Sequence, residues 1–163
     1  TNAKMMIVDG KKYLEIQAYL GLLFDWDQKR GYTNVPEFDH AMLFSRHALY
    51  KGSSINCLIE GRSFLRGVCD LGRRTSVIQF RHYASTVQTA AHELGHNLGA
   101  VHDSEGEAAA CNPEEHFLMS PEGPYICPNN TFFKNIWTFS NCSVDSFKRS
   151  LKLKMCLKTF VIN

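Results

Sequence analysis

Apolar residues recur along this chain with two periods, and the alternation between them marks its predicted elements. Met5–Val8 is a short apolar run closed by Asp9-Gly10, which predicts a strand and a turn. From about Leu14 to Arg30 the apolar residues Leu14, Ala18, Leu22 and Trp26 recur every four positions, predicting a helix capped by Gly31. His40–Phe44 and Thr75–Phe80 are rich in apolar and β-branched residues and predict strands. Phe64–Cys69 reads as another strand, placed at a sheet edge because Gly67 interrupts it. Ser85 or Thr86 is a candidate cap for a helix running through TVQTAAHELGHNLG to Gly99. Beyond His102 the pattern dissolves until about Ser140, a stretch carrying Pro113, Pro121, Pro124 and Pro128. An amphipathic helix from about Val144 to Leu157 then buries Val144, Phe147 and Leu151. The order describes an α/β domain with a divided body, without internal repeat or linker.

Composition narrows the class. A length of 163 residues suits one domain with a real core, and 44% hydrophobic against 21% charged residues is ordinary for a globular chain. Eighteen basic and 16 acidic residues leave a net charge of +2, with no clustered basic footprint for nucleic acid. No apolar stretch reaches the ~18 residues of a membrane span. The opening TNAKMM lacks the charged and apolar regions of a signal peptide, so a processed or trimmed start is expected.

Six cysteines (Cys57, Cys69, Cys111, Cys127, Cys142 and Cys156), none in a C-x-x-C pair, favour disulfides over a thiolate metal cage. Buried reduced thiols are the other reading, because free cysteine packs well in a core. The sequons at Asn129 and Asn141 agree with an oxidising, extracellular setting. Six cysteines allow about 15 pairings, among which the sequence does not choose.

The chemistry is concentrated in His92-Glu93-Leu94-Gly95-His96-Asn97-Leu98-Gly99-Ala100-Val101-His102-Asp103. Residues four apart on a helix project from one face, so His92 and His96 can direct their imidazoles at one ion. Gly99 lets the backbone leave the helix in a left-handed conformation, and His102 can then swing back as a third ligand. Three protein ligands leave a fourth tetrahedral position for water, the arrangement of a catalytic rather than a structural zinc site. Glu93, beside the first ligand, can take a proton from that water and pass it to a departing amine. Five fixed positions match by chance on the order of once in ten million start sites, so surface histidines on an unrelated helix are a poor explanation.

The full pattern H-E-x-x-H-x-x-G-x-x-H resembles the metzincin clan of zinc proteases. That resemblance implies a two-subdomain fold: a mixed twisted sheet with an active-site helix, then an irregular C-terminal part ending in a helix. It also implies a methionine turn below the metal, for which Phe117-Leu118-Met119-Ser120 fits. Asp103, with Phe139-Ser140-Asn141-Cys142-Ser143 and the closing Cys156-Leu157, is similar to the adamalysin or reprolysin branch, which includes the ADAM proteases and their thrombospondin-repeat relatives. There Asp103 would be a buried carboxylate bonding backbone near the methionine turn.

The resemblance extends upstream. Phe38-Asp39-His40-Ala41-Met42-Leu43 looks like the family's central strand, and Gly67-Val68-Cys69-Asp70 like the end of its edge strand. The backbone around Phe64, Leu65, Arg66 and Gly67 is therefore expected to pair with an extended substrate. Ser120–Tyr125 is expected to wall a pocket for the residue after the scissile bond. The family implies disulfides Cys69–Cys156 and Cys111–Cys142, leaving Cys57 with Cys127. Family domains also open with further elements, so residues 1–163 are expected to be a catalytic domain lacking its N-terminal portion.

The function so implied is a secreted, monomeric zinc endopeptidase acting on extended peptide or protein substrates. A weakly catalytic zinc-binding toxin or receptor ligand on the same scaffold is the alternative, and a structural zinc domain with four protein ligands a third. Calcium is admitted by analogy, but no oxygen-ligand motif in the chain calls for it. His40, His47, His82 and His116 are expected to serve structure rather than metal.

Overall fold

The computed structural model describes residues 5–29, 35–53, 58–121 and 135–158. Strand β1 (Met5–Val8) and β2 (Lys11–Glu15) form an antiparallel hairpin that pairs Val8 with Lys11. Asp9 and Gly10 close it with φ of 50° and 72°, the pair of positive angles that a two-residue hairpin turn requires. Helix α1 (Ile16–Gln28) follows at once. Its start is fixed by Glu15, whose carboxylate accepts from Ala18 N (2.6 Å) and Gly52 N (3.3 Å).

The predicted stripe on this helix is rotated. Leu14 belongs to β2, and the residues buried along α1 are Ile16, Leu20 and Asp27, while Trp26 is exposed. The Glu15 cap starts the helix after Leu14, so the inward face is counted from Ile16. The helix ends at a Lys29 cap; Gly31 lies outside the described residues.

Strands β3 (Ala41–Ser45), β4 (Ala48–Tyr50), β5 (Leu58–Ile59), β6 (Gly61–Ser63) and β7 (Thr75–Gln79) complete two sheets. One has the order β1-β2-β4-β5 and the other β3-β7-β6. In the second, β3 runs parallel to β7 and β6 antiparallel to it, so β7 holds the centre that β3 was expected to take. The body is therefore α/β and mixed, divided between two sheets rather than one. They meet where Gln79 accepts from Leu49 N through its side chain (3.2 Å) and donates its own N–H to Glu60 O (2.7 Å). Leu14, Ile16, Leu20, Leu49 and Val77 form the core between them, covered by Tyr19, Leu23, Ile59 and Phe64.

Phe64–Cys69 is not a strand. The edge strand ends at Ser63, and the chain turns through a positive φ at Arg66 (58°) and Cys69 (66°). Helix α2 (Tyr83–Leu98) starts earlier than expected because His82 caps it. The His82 carbonyl accepts from the Ser85 and Thr86 hydroxyls (3.2 and 2.9 Å), so these residues bond back to the cap rather than acting as caps themselves. After α2 come two short 3-10 turns, Gly106–Ala108 and Pro113–Glu115, and then helix α3 (Asn141–Leu151). Ser140 caps α3, whose buried residues are Ser143 and Ser146, while Val144 is exposed. The helix packs its small polar side against the molecule, which an apolar-stripe reading overlooks.

Cys69 pairs with Cys156 and Cys111 with Cys142; Cys57 and Cys127 lie outside the described residues. The two bridges anchor both ends of the α3 region to the irregular stretch and to the loop after β6.

One buried side chain holds α2 against the sheet. The Asn97 amide nitrogen donates to Phe64 O and Arg73 O (both 2.9 Å), which turns its oxygen toward His40 Nδ1 (2.8 Å). His40 Nδ1 therefore carries the proton, and Nε2 accepts from the Ser76 hydroxyl (3.1 Å). Burial lowers the pKa of His40 from 6.5, and the Asn97 bond opposes that shift. Protonation would remove the acceptor for Ser76. The network's contribution is then fully present above pH 6.5 and lost as pH falls through the lowered folded value. We expect wild type to exceed His40→Gln in unfolding free energy by about 1–3 kcal/mol near neutrality. That difference should shrink on acidification in parallel urea titrations, and a constant gap would contradict the assignment.

Candidate metal centre

Helix α2 carries His92 and His96 on one face, and the chain leaves it at Gly99 with φ of 127°. A side chain there would be strained, and its Cβ would also stand 2.5 Å from Ser150 Cβ on α3. The released chain returns His102 to the same point. Its Nε2 lies 3.1 Å from His96 Nε2 and 3.3 Å from His92 Nε2.

These contacts are not hydrogen bonds, because the opposite ring nitrogens already hold the protons. His92 Nδ1 donates to Leu118 O (2.7 Å) and His96 Nδ1 to Ala100 O (2.9 Å), while the Glu105 carboxylate lies 3.3 Å from His102 Nδ1 and favours the proton on that nitrogen. Three Nε2 lone pairs thus face one another with no proton between them. Tetrahedral nitrogen ligands at about 2.0–2.1 Å from zinc stand about 3.3–3.4 Å apart, so the observed spacing and donor set fit that ion. Burial, with the neighbouring imidazoles, holds His92 down at about 4 and His96 at about 3. Both are neutral, ligand-ready rings well below neutral pH.

Among the described residues, one other group could gather around a metal: Asp39, Cys69 and Cys156. Its two sulfurs are tied to each other in a disulfide. Among the described residues no fourth protein donor joins the three histidines.

Glu93 follows His92 on the helix and is almost wholly buried at the wall of an open cleft of about 590 Å³. Burial pushes its carboxyl up to about 8, and the Arg62 charge partly opposes this. A group poised near neutrality suits both taking and returning a proton. Its place depends on Gly61 of β6. A Cβ there would meet Glu93 Cγ at 2.7 Å and Glu93 Oε1 at 2.9 Å.

Met119 is fully buried beneath the helix, its sulfur only 2.6 Å from the point where a Cβ on Gly95 would stand. The turn around it, closed by Ser120 N donating to Phe117 O (2.9 Å), also presents the Leu118 carbonyl to His92. Asp103 is fully buried, but its bonds divide differently from the expectation. Its backbone N–H reaches Met119 O (2.9 Å), whereas its carboxylate accepts from the Ser140 hydroxyl (2.6 Å). The carboxylate thereby ties the third histidine's segment to the cap of α3. Burial raises its pKa.

The segment expected to pair with substrate is already engaged. Phe64 O accepts from Asn97, Leu65 O from Arg73 (3.2 Å), and Arg66 N donates to His96 O (2.9 Å). Of Phe64, Leu65, Arg66 and Gly67, Leu65 lines the cleft. The sheet's open edge lies earlier, at Gly61–Ser63, and these three residues line the cleft in turn. Ser120 and Pro121 are the described part of the expected pocket wall, and Pro121 lines the cleft.

Asn141 is exposed at the start of α3, although the Ser143 hydroxyl of its sequon is buried against Ser140 (3.2 Å). Asn129 lies outside the described residues. Leu118 O, Ala100 O, Glu105, Gly61 and Arg62 escaped the sequence reading. The first two are backbone oxygens, which no residue type announces. A glycine beside the E-x-x-H helix has no sequence signal until the strand facing it is known.

Comparison with known proteins agrees with this geometry. The fold matches the crystal structure of an archaemetzincin from Methanopyrus kandleri with a TM-score of 0.52 over 86% of this chain and 67% of that one, at 18% identity. It is therefore a metzincin-type fold. The family model described as "Reprolysin (M12B) family zinc metalloprotease" matches residues 12–159, and the chain belongs to that family.

Two relatives illustrate its surroundings. Disintegrin and metalloproteinase domain-containing protein 1 of Rattus norvegicus is 37% identical over 94 residues, 56% of this chain and 10% of that protein. A disintegrin and metalloproteinase with thrombospondin motifs 18 of Mus musculus is 29% identical over 126 residues, 77% of this chain and 10% of that protein. The chain spans about a tenth of the length of the curated relatives it matches.

Replacing Met119 should separate packing from chemistry. Met119→Ala is expected to cost about 2–5 kcal/mol of unfolding free energy. Met119→Leu should stay within about 1.5 kcal/mol. A large loss for leucine would show that the sulfur itself matters.

Proposed function

We propose that residues 1–163 act as a metalloprotease catalytic domain, a zinc-dependent endopeptidase that cleaves internal bonds of extended peptides. The observation that carries this is the convergence of three unprotonated Nε2 atoms beside Glu93, in a cleft bordered by an open strand edge. His92, His96 and His102 would hold the ion. Bound there, zinc supplies Lewis acidity, which makes water a better proton donor and a carbonyl a better electrophile.

The remaining work falls to the chain. The open edge of β6 can hold a peptide by backbone pairing, so that the substrate lies extended across the cleft. Glu93 takes a proton from the attacking water and returns it to the amine that leaves. Gly61 gives Glu93 room to reach both places. The carbonyls of Leu118 and Ala100 and the carboxylate of Glu105 keep each ring's Nδ1 protonated and its Nε2 free. Met119 and the Asp103–Ser140 bond hold the floor on which these groups stand.

We place the activity outside the cell, in a monomer. Two disulfides and the exposed Asn141 support that setting, and no helix among the described residues is long and apolar enough to cross a membrane.

Glu93→Ala tests the assignment. The variant should bind one zinc per chain while losing at least ~100-fold in kcat/KM on a peptide library, the usual size of an acid–base contribution. Equal rates in variant and wild type would exclude Glu93 as the base. Dialysis against a chelator should abolish cleavage and added zinc restore it. Activity that survives metal removal would exclude the ion from the reaction.

A further inference from the structure

The cleft contains charged side chains whose engagement is uneven. Glu60 is held by Arg81 and accepts from the Thr89 hydroxyl (3.2 Å). Glu105 lies beside His102 Nδ1 (3.3 Å). Arg62, at the middle of β6 and half-buried at the cleft wall, has no hydrogen bond, direct ion pair or ring contact from its guanidinium among the described residues, although its charge is felt by the Glu93 carboxyl.

The other described arginines all have partners. Arg66 and Arg149 meet Glu107, Arg74 meets Asp27, Arg73 reaches Leu65 O, and Arg46 lies over Phe80. A guanidinium partly removed from water without a hydrogen-bonded partner is costly, and a carboxylate is the group its planar fork fits best. The open edge of β6 is where an extended peptide would pair, so a substrate side chain is the group that can reach it.

Resting on the peptidase reading above, we propose that Arg62 sets substrate specificity, selecting peptides with Asp or Glu at one position on the face of the β6 edge that carries Arg62, opposite to the face on which Gly61 meets Glu93. Side chains on paired antiparallel strands face one another directly or two positions along. The favoured acid therefore lies opposite Arg62 or two residues away, and not at the intervening position, which faces the other side of the sheet.

The test uses zinc-loaded full-length chain and neutral peptides in which a single Asp is moved along the sequence, each paired with its Asn twin. For wild type the Asp/Asn ratio of kcat/KM should reach about tenfold or more at one position, the scale of a hydrogen bond to a charged group. Arg62→Gln should bring that ratio to about one, Arg62→Lys should retain the preference, and Arg62→Glu should invert it toward lysine-bearing peptides. Circular dichroism and zinc content establish that each variant is folded.

An unchanged ratio in Arg62→Gln, or an acid preference at neighbouring positions of both parities, overturns the proposal. Binding of the same fluorescein-labelled peptides to zinc-loaded Glu93→Ala, read by anisotropy, separates the two readings. Acid-selective binding that depends on Arg62 supports the proposal even if wild type cleaves nothing, in which case the peptidase reading alone fails. Cleavage without acid selectivity in either assay leaves the peptidase standing and removes Arg62 as its determinant. Neither cleavage nor acid-selective binding overturns both.

Discussion

Three imidazole lone pairs aimed at one point repel one another, and much of this molecule is arranged to keep them there. Each ring is pinned through its other nitrogen, and each pinning oxygen comes from a different piece of chain: Leu118 in the methionine turn, Ala100 just past the helix, Glu105 before the first 3-10 turn. Those pieces have to be fixed in their turn. Asp103 links the third ligand's segment to Met119 and to the cap of α3, and the Cys111–Cys142 bridge joins the same two regions. The irregular half of the chain is thus organised from the metal side outward, with little regular backbone pairing to hold it.

Glu93 depends on a different part of the fold. It is buried by β6, whose Gly61 yields the space a side chain would occupy. The sheet therefore does two things for the site: it supplies an open edge and, one residue along, the absence of a Cβ. The two requirements meet in Gly61-Arg62-Ser63, a strand of three residues at the margin of the smaller sheet.

The long active-site helix and its histidines were legible because residue type and spacing coincide: imidazoles four apart, then glycine, then imidazole. Strands β3 and β7 were legible within about a residue, and β1 with its Asp9-Gly10 turn fully so. The short strands β4, β5 and β6 were not, since runs of two or three residues carry no period. The inward face of α1 was misplaced because a strand runs directly into the helix, and apolar spacing continued across the junction. Helix α3 misled in another way: it meets the molecule through serines, which pattern reading assigns to solvent. The edge of the cleft was placed a few residues too late, because the carbonyls and amides of Phe64–Arg66 look free in sequence and are engaged in space.

Asn97 is enclosed between His40, Phe64 and Arg73, one residue beyond a histidine of the triad. This amide, with the backbone bonds from Arg66 N to His96 O and from Val68 N to Asn97 O, sets the gap between the chain leaving the edge strand and the helix bearing Glu93. Moving either element would unseat the other, so the cleft cannot widen by helix and strand sliding apart independently. The bank of the cleft formed by helix and strand is therefore cross-braced, and an entering peptide meets on this side a wall that keeps its spacing.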